Sequence, residues 1–304
     1  MRDHEFSYEN HPKVAPDNIG RFVVLREVTA EQTGSQALVY EALDPITGDK
    51  VALKILEHEM ESFSASIMAA LMRDNDIKDI LSESEILSGL QHPNVVSIVE
   101  TGDDPVLGPY IAMEWVGGGN LNQSIYGENS YNGTRFSSQK CVLISMQILK
   151  GLSAAHKFGV VHGDIKPSNV LIDLDGGIKL ADFGVARLTQ QDYGGPFRGT
   201  RGYLAPEREN FDALDELAHT ADIYSVGIVM LEMLVGEIPS RHEQIMPLLA
   251  TIPKPLDDII RKATAYVPQE RYVSAQAMIE ALSESLGKSS PYRINCLDCH
   301  QRQL

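Results

Sequence analysis

Residues 161–184 read VHGDIKPSNVLIDLDGGIKLADFG, and the fold follows from how this stretch turns. Pro167 has no N–H and biases Lys166 away from helical angles, so HGDIKPSN is expected as an ordered loop. Two short apolar runs follow, Asn169-Val170-Leu171-Ile172 and Ile178-Lys179-Leu180-Ala181, on either side of Asp173-Leu174-Asp175-Gly176-Gly177. Glycines permit positive φ, so the pattern predicts an antiparallel hairpin. A hairpin returns the chain to its start and sets Asn169 beside Asp182. The pair offers an amide oxygen and a carboxylate, hard donors that magnesium accepts alongside phosphate oxygens and water. Asp164 and Lys166 lie just upstream. A carboxylate there can take or orient a hydroxyl proton, and a lysine can neutralise a phosphoryl group in flight.

Outward from this stretch, residues 1–18 are polar and broken by His11-Pro12 and Ala15-Pro16, which predicts a loose arm. From residue 21 to 56, apolar runs at Phe22-Val23-Val24-Leu25, Leu38-Val39-Tyr40 and Val51-Ala52-Leu53 alternate with turn residues, as in an antiparallel meander. Residues 57–90 have few breakers and carry Ile80, Leu81, Ile86, Leu87 and Leu90 at broadly helical spacing. Two further strands are expected around 95–100 and 110–115. Gly117-Gly118-Gly119 marks a change of composition where a lobe boundary falls, and beyond it helices are legible at 138–158, 221–235, 256–265 and 274–286. Residues 287–304 are polar and read as a tail. The expected class is α+β and bilobal: an antiparallel sheet with one helix over 19–116, and a mainly helical lobe over 117–286.

At 304 residues the chain can bury a full core. A net charge of -16 argues against broad nucleic-acid or anionic-membrane binding. No charged start with an apolar h-region and no long apolar run is legible, so no membrane partner and a cytoplasmic location are expected. Cys141, Cys296 and Cys299 are too few and too uneven for a disulfide framework.

With Lys54 in VALK, Asp164 and Asn169 in HGDIKPSN, Asp182 in DFG and Glu207 in APE, the chain resembles the eukaryotic-type Ser/Thr protein kinases over about residues 20–286. The resemblance implies an ATP- and Mg2+-dependent enzyme acting on protein substrates. Lys54 would hold the α- and β-phosphates, with Glu83 as its helical partner and Glu85 as second choice. Met113 would be the gatekeeper, the Glu114 carbonyl and Val116 amide would bond the adenine edge, and Asn120 would lie near the ribose. Val28, Gly34, Ala37, Val39 and Ala52 complete the nucleotide contacts. Asp164 would be the catalytic base and Lys166 the transition-state stabiliser, with Asn169 and Asp182 holding the metal. Thr200, with Lys166, favours Ser/Thr over Tyr; Glu207 would pair with Arg271, and Asp222 would bond the catalytic-loop backbone.

The chain also departs from the pattern. Where three glycines are usual before Val39-Tyr40, the aligned residues are Gln32, Gly34 and Ala37, which points to weakened nucleotide affinity. Gly163 stands where many protein kinases carry an Arg that receives an activation-loop phosphate, so activity independent of that phosphate is expected. Residues 60–79 read as an insertion. Two alternatives accompany the kinase reading: a catalytically weak scaffold of the same fold, and a small-molecule kinase of related fold. Bland readings stand beside other motifs: Asp173-Leu174-Asp175-Gly176 as a turn rather than a calcium loop, Cys141 and His162 as structural, and Cys296/Cys299/His300 as an idle tail or, less simply, a zinc half-site.

Overall fold

Alternation of buried and exposed residues organises the first strands. The computed structural model describes residues 16–28, 38–55, 89–127, 135–183, 187–188, 200, 202–209, 218–239 and 242–289. Its sheet contains β1 (Asn18–Ile19), β2 (Phe22–Val28), β3 (Val39–Leu43), β4 (Lys50–Ile55), β5 (Ile98–Asp104) and β6 (Gly108–Glu114), in the order β1-β2-β3-β4-β6-β5 and antiparallel throughout. Tyr40, Leu53 and Ala112 lie in one cross-strand row of the pleat, and with Ile19, Phe22, Ala42, Val51, Ile55 and Tyr110 they form the core on one face. The meander is as expected, with two shifts. Order begins slightly earlier, since Asn18 pairs with Val23 and the Asp17 carbonyl accepts from the Val24 N–H. β5 starts at Ile98 rather than near 95, because Val95 bridges Leu180 instead. Residues 57–88 of the expected helix and 1–15 of the expected arm lie outside the described residues; Gly89 and Leu90, at the end of that helix as expected from the sequence, are not helical.

The chain divides into two compact units after Gly119, at the end of the glycine run. His92–Val95 belongs to the second unit although its neighbours on both sides belong to the first. In that second unit, α1 (Leu121–Tyr126) and α2 (Ser138–Lys157) are followed by β7 (Val160–Val161), one 3-10 turn at Pro167–Asn169, and the hairpin β8 (Val170–Ile172) and β9 (Ile178–Leu180). β10 (Arg187–Leu188) pairs with β7. Then come α3 (Pro206–Glu209), α4 (Ala218–Val235), α5 (Ile245–Leu249), α6 (Leu256–Ala263) and α7 (Ala275–Ser289).

Of these, α1, α3 and α5 were not legible in the sequence; each spans six residues or fewer, too short for a period of 3.6 to register. α1 nevertheless carries its start signal, a capping box in which Asn120 Oδ1 accepts from the Gln123 N–H at 2.9 Å and Gln123 Oε1 accepts from the Asn120 N–H at 3.0 Å. α7 runs to Ser289, past the expected end at 286. α4 corrects the expectation that no apolar run is long enough for a bilayer: by length and composition it qualifies, but it is almost wholly buried, as a core helix that also carries Asp222 and Glu232. Gly227 on α4 lets α6 approach, since a Cβ there would lie 2.7 Å from Thr264 Cγ2.

Candidate active site

The hairpin forms in the expected register, with Val170, Leu171 and Ile172 opposite Leu180, Lys179 and Ile178. Its turn is closed by Asp173 N–H to the Gly177 carbonyl at 2.7 Å and by Gly176 at φ 86°, and Asp173 and Asp175 accept from the N–H groups of Leu174 and Gly177. Residue 169 is the departure. It ends a 3-10 turn instead of starting the strand, since Pro167 at the first position of that turn needs no N–H partner. The hairpin brings the Ala181 N–H onto the Asn169 carbonyl at 2.9 Å, which sets Asp182 next to the 162–169 loop.

Four side chains converge at this loop. Asp164 Oδ2 meets Lys166 Nζ at 2.7 Å and accepts from Asn169 Nδ2 at 3.2 Å. Asp164 Oδ1 accepts from the Thr200 N–H at 2.9 Å and from its hydroxyl at 2.8 Å. Lys166 Nζ donates to Thr200 Oγ1 at 2.9 Å. A hydroxyl is thus held between a carboxylate and an ammonium, the bonds an alcohol needs in order to lose a proton beside a transferring anion. Asn169 Nδ2 also donates to the Asp164 carbonyl at 2.9 Å, so both of its bonds to Asp164 run through the amide nitrogen.

Asp182 lies between two anchored residues. The Ala181 carbonyl is bonded to His162 Nε2 at 3.0 Å, and the Phe183 ring rests on the His162 ring with centroids 4.4 Å apart. Asp182 itself has φ 62°, the one positive value outside glycine among the described residues. Such backbone is tolerated by Asp better than by most residues, and it occurs where surrounding contacts over-determine a functional position.

Asp222 of α4 anchors the loop from below. It accepts from the N–H groups of His162 (2.9 Å) and Gly163 (2.8 Å) and from His156 Nε2 (2.8 Å). Burial pushes its carboxyl up, but the bond and charge of His156, the charge of His162 and the Gly163 N–H outweigh this and hold it below the usual carboxylate range. Glu207 and Arg271 form a two-pronged ion pair at 2.6 and 2.7 Å. His162 and Cys141 are fully buried, as their structural readings expected.

In the first unit the register gathers another group. Val28, Val39 and Lys54 form one cross-strand row, and Ala52 pairs with Met113 two residues along, so all five share the sheet face opposite the core. Lys54 is 6% exposed. Glu114 closes the sheet end, its Oε1 accepting from the Ser97 N–H at 2.7 Å, and Val116 is buried just beyond. Asn120 belongs to the second unit and is 2% exposed, its carboxamide engaged as the α1 cap, a role the sequence reading did not assign. Glu83, Gly34, Ala37 and Cys296/Cys299/His300 lie outside the described residues. Among the described residues no three His, Cys, Asp or Glu side chains gather as a ready-made metal cage.

Comparison with known proteins agrees with this geometry. A family model described as protein kinase domain matches residues 32–303. The serine/threonine-protein kinase PrkC of Bacillus subtilis is 33% identical over 278 residues, covering 85% of this chain and 39% of that protein. The probable serine/threonine-protein kinase pknA2 of Bifidobacterium longum is 32% identical over 289 residues, 88% of this chain and 35% of its own length. The probable serine/threonine-protein kinase PknB of Lactococcus lactis is 30% identical over 287 residues, 87% of this chain and 42% of that protein. The chain therefore spans about two fifths of the length of these relatives.

Proposed function

Because this chain belongs to the protein kinase family, we propose that it transfers the γ-phosphoryl group of ATP to Ser and Thr hydroxyls of protein substrates. The observation that carries the reading is the Asp164, Lys166 and Thr200 cluster, which already holds a threonine hydroxyl between base and ammonium. In the transfer, the acceptor oxygen bonds to the γ-phosphorus and the bond from that phosphorus to the β,γ-bridging oxygen breaks. ADP leaves, and the hydroxyl proton passes to Asp164. Lys166 screens the equatorial oxygens while the bond order shifts.

Asn169 and Asp182 are the residues that would hold magnesium. The donor set fits: the Asn169 amide nitrogen is committed to Asp164, which leaves its oxygen as the acceptor, and Asp182 adds an anionic oxygen. When bound, the ion would neutralise phosphate charge. Lys54 would bind the α- and β-phosphates; Val28, Val39, Ala52 and Met113 supply an apolar surface suited to a purine, whose edge would donate to the Glu114 carbonyl and accept from the Val116 N–H. A cytoplasmic location is part of the proposal, on the cysteine usage and charge of the sequence. The names of the relatives do not favour a scaffold or a small-molecule kinase.

The test is phosphate transfer from labelled ATP with magnesium, onto the protein itself and onto a basic protein acceptor. Asp164→Ala, Lys54→Ala and Asp182→Ala are each expected to lower turnover by at least about 100-fold. Wild-type protein that binds ATP yet transfers nothing would overturn the reading in favour of a scaffold.

A further inference from the structure

The core helix α4 carries a second carboxylate that the transfer chemistry does not use. Glu232 lies about three turns beyond Asp222 on the same helix. It is fully buried, and both its oxygens are occupied: Oε1 accepts from the Tyr126 hydroxyl and Oε2 from the Tyr203 hydroxyl, each at 2.8 Å. Burial pushes the Glu232 carboxyl up, and the two phenol bonds oppose that shift. Both phenols are raised in turn, first by burial and then by the Glu232 carboxylate.

Stability alone is a poor reason for such a group, because a well-packed apolar residue commonly serves at least as well as a buried ion. Tyr203 supplies a better one. Its N–H donates to the Thr200 carbonyl at 3.1 Å, and its own carbonyl accepts from Ser225 Oγ of α4 at 2.8 Å. Ring, amide and carbonyl of one residue therefore fix the segment whose Thr200 is bonded to Asp164. Tyr126 completes the arrangement from the other side. It sits on α1 with 41% of its surface exposed, yet its hydroxyl reaches inward to Glu232. Without that donor, Oε1 would be left in a buried setting with nothing to bond, and the carboxylate would turn or take up a proton. Either change weakens its hold on Tyr203.

We propose that Tyr126 is a positioning residue for phosphoryl transfer: by holding Glu232 it holds Tyr203, and through Tyr203 it sets Thr200 against Asp164. The catalytic consequence rests on the kinase reading above; the geometric link does not.

Tyr126→Phe removes one hydroxyl and keeps the ring. Its kcat/KM for a Ser/Thr acceptor peptide is expected to fall about tenfold, the scale of a lost hydrogen bond to a charged group, while KM for ATP stays put. The Thr200 and Tyr203 amides should exchange faster with deuterium while those of α2 keep their protection. Tyr203→Phe should show a loss of similar size. The double variant should lose less than the product of the two, since both hydroxyls act through one carboxylate. Tyr110→Phe, which deletes a hydroxyl bonded to Glu100 in the first unit, serves as control and should transfer at the wild-type rate. A lowered melting temperature with unchanged acceptor kinetics would mean a merely structural tyrosine and overturn the proposal. If wild type phosphorylates no acceptor, the kinase reading fails, and exchange still decides the link: faster exchange at Thr200 and Tyr203 upholds it, unaltered exchange sinks it.

Discussion

At the scale of single residues, Asp222 and Gly163 work together and lead to separate predictions. Asp222→Asn replaces an all-acceptor group by one that must turn an N–H₂ toward some of three donors. It should cost about 1–3 kcal/mol in urea unfolding at pH 7, the penalty for a buried donor left unmet. The native carboxyl lies below its ordinary value of 3.8, so the stability it contributes is complete above that value. As the pH falls through the depressed native pKa, that contribution is lost, and the gap between wild type and variant should close. Gly163 has φ 78° and no side chain, so no guanidinium is offered at this position to an activation-loop phosphate, and an arginine placed there would be strained. Phosphatase treatment should therefore leave turnover unchanged in the labelled-ATP assay; loss of activity would contradict this. That Asp164, Lys166, Asn169 and Asp182 lie together was legible because a hairpin returns Ala181 to Asn169 and the other two stand just upstream. Glu232 and Tyr126 were not, because their partnership joins α1 to α4 across more than a hundred residues of sequence and leaves no local pattern.

At the scale of elements, the hairpin, the meander and the four longer helices were readable from apolar period and turn residues, while the short helices were decided by caps and packing. Gly151 shows how packing overrides propensity. A glycine inside a helix ordinarily gains from replacement by alanine, by up to about 1 kcal/mol. In α2, however, a Cβ at residue 151 would stand 2.5 Å from the Asn94 carbonyl oxygen and 3.1 Å from Leu180 Cδ1. The obstacle is backbone, already engaged by the Leu180 N–H at 3.0 Å. Gly151→Ala should therefore destabilise the protein by about 1–3 kcal/mol in thermal or urea unfolding. A stabilised variant would mean that this approach is looser than described.

At the scale of the whole molecule, the net charge of -16 bears on acceptor capture more than on fold. If protein acceptors are bound as proposed, a basic peptide should show a KM that rises as salt is raised from low to physiological ionic strength, with kcat little altered. A salt-independent KM would remove charge from the account of recognition. Gly117-Gly118-Gly119, where the sequence changes composition, falls within the first unit, whereas the membership of His92–Val95 had no mark at all, because sequence order gives no hint that four residues leave one unit to complete the other. Their bonds explain it: Asn94 Nδ2 donates to the Ile178 carbonyl at 2.8 Å, the Asn94 carbonyl accepts from Leu180, and Val95 bridges Leu180 in parallel. The consequence is genetic as much as physical. The reading frame enters the second unit at residue 92, leaves it after 95 and returns at 120, so no single cut yields both pieces whole. A gene fragment starting at Asn120 would encode a hairpin with the Leu180 N–H bare and its apolar flank uncovered, an invitation to aggregate. Recombination that exchanges the N-terminal part between relatives must carry compatible residues at 92–95, which makes this four-residue splice the point where the two halves inherit as one.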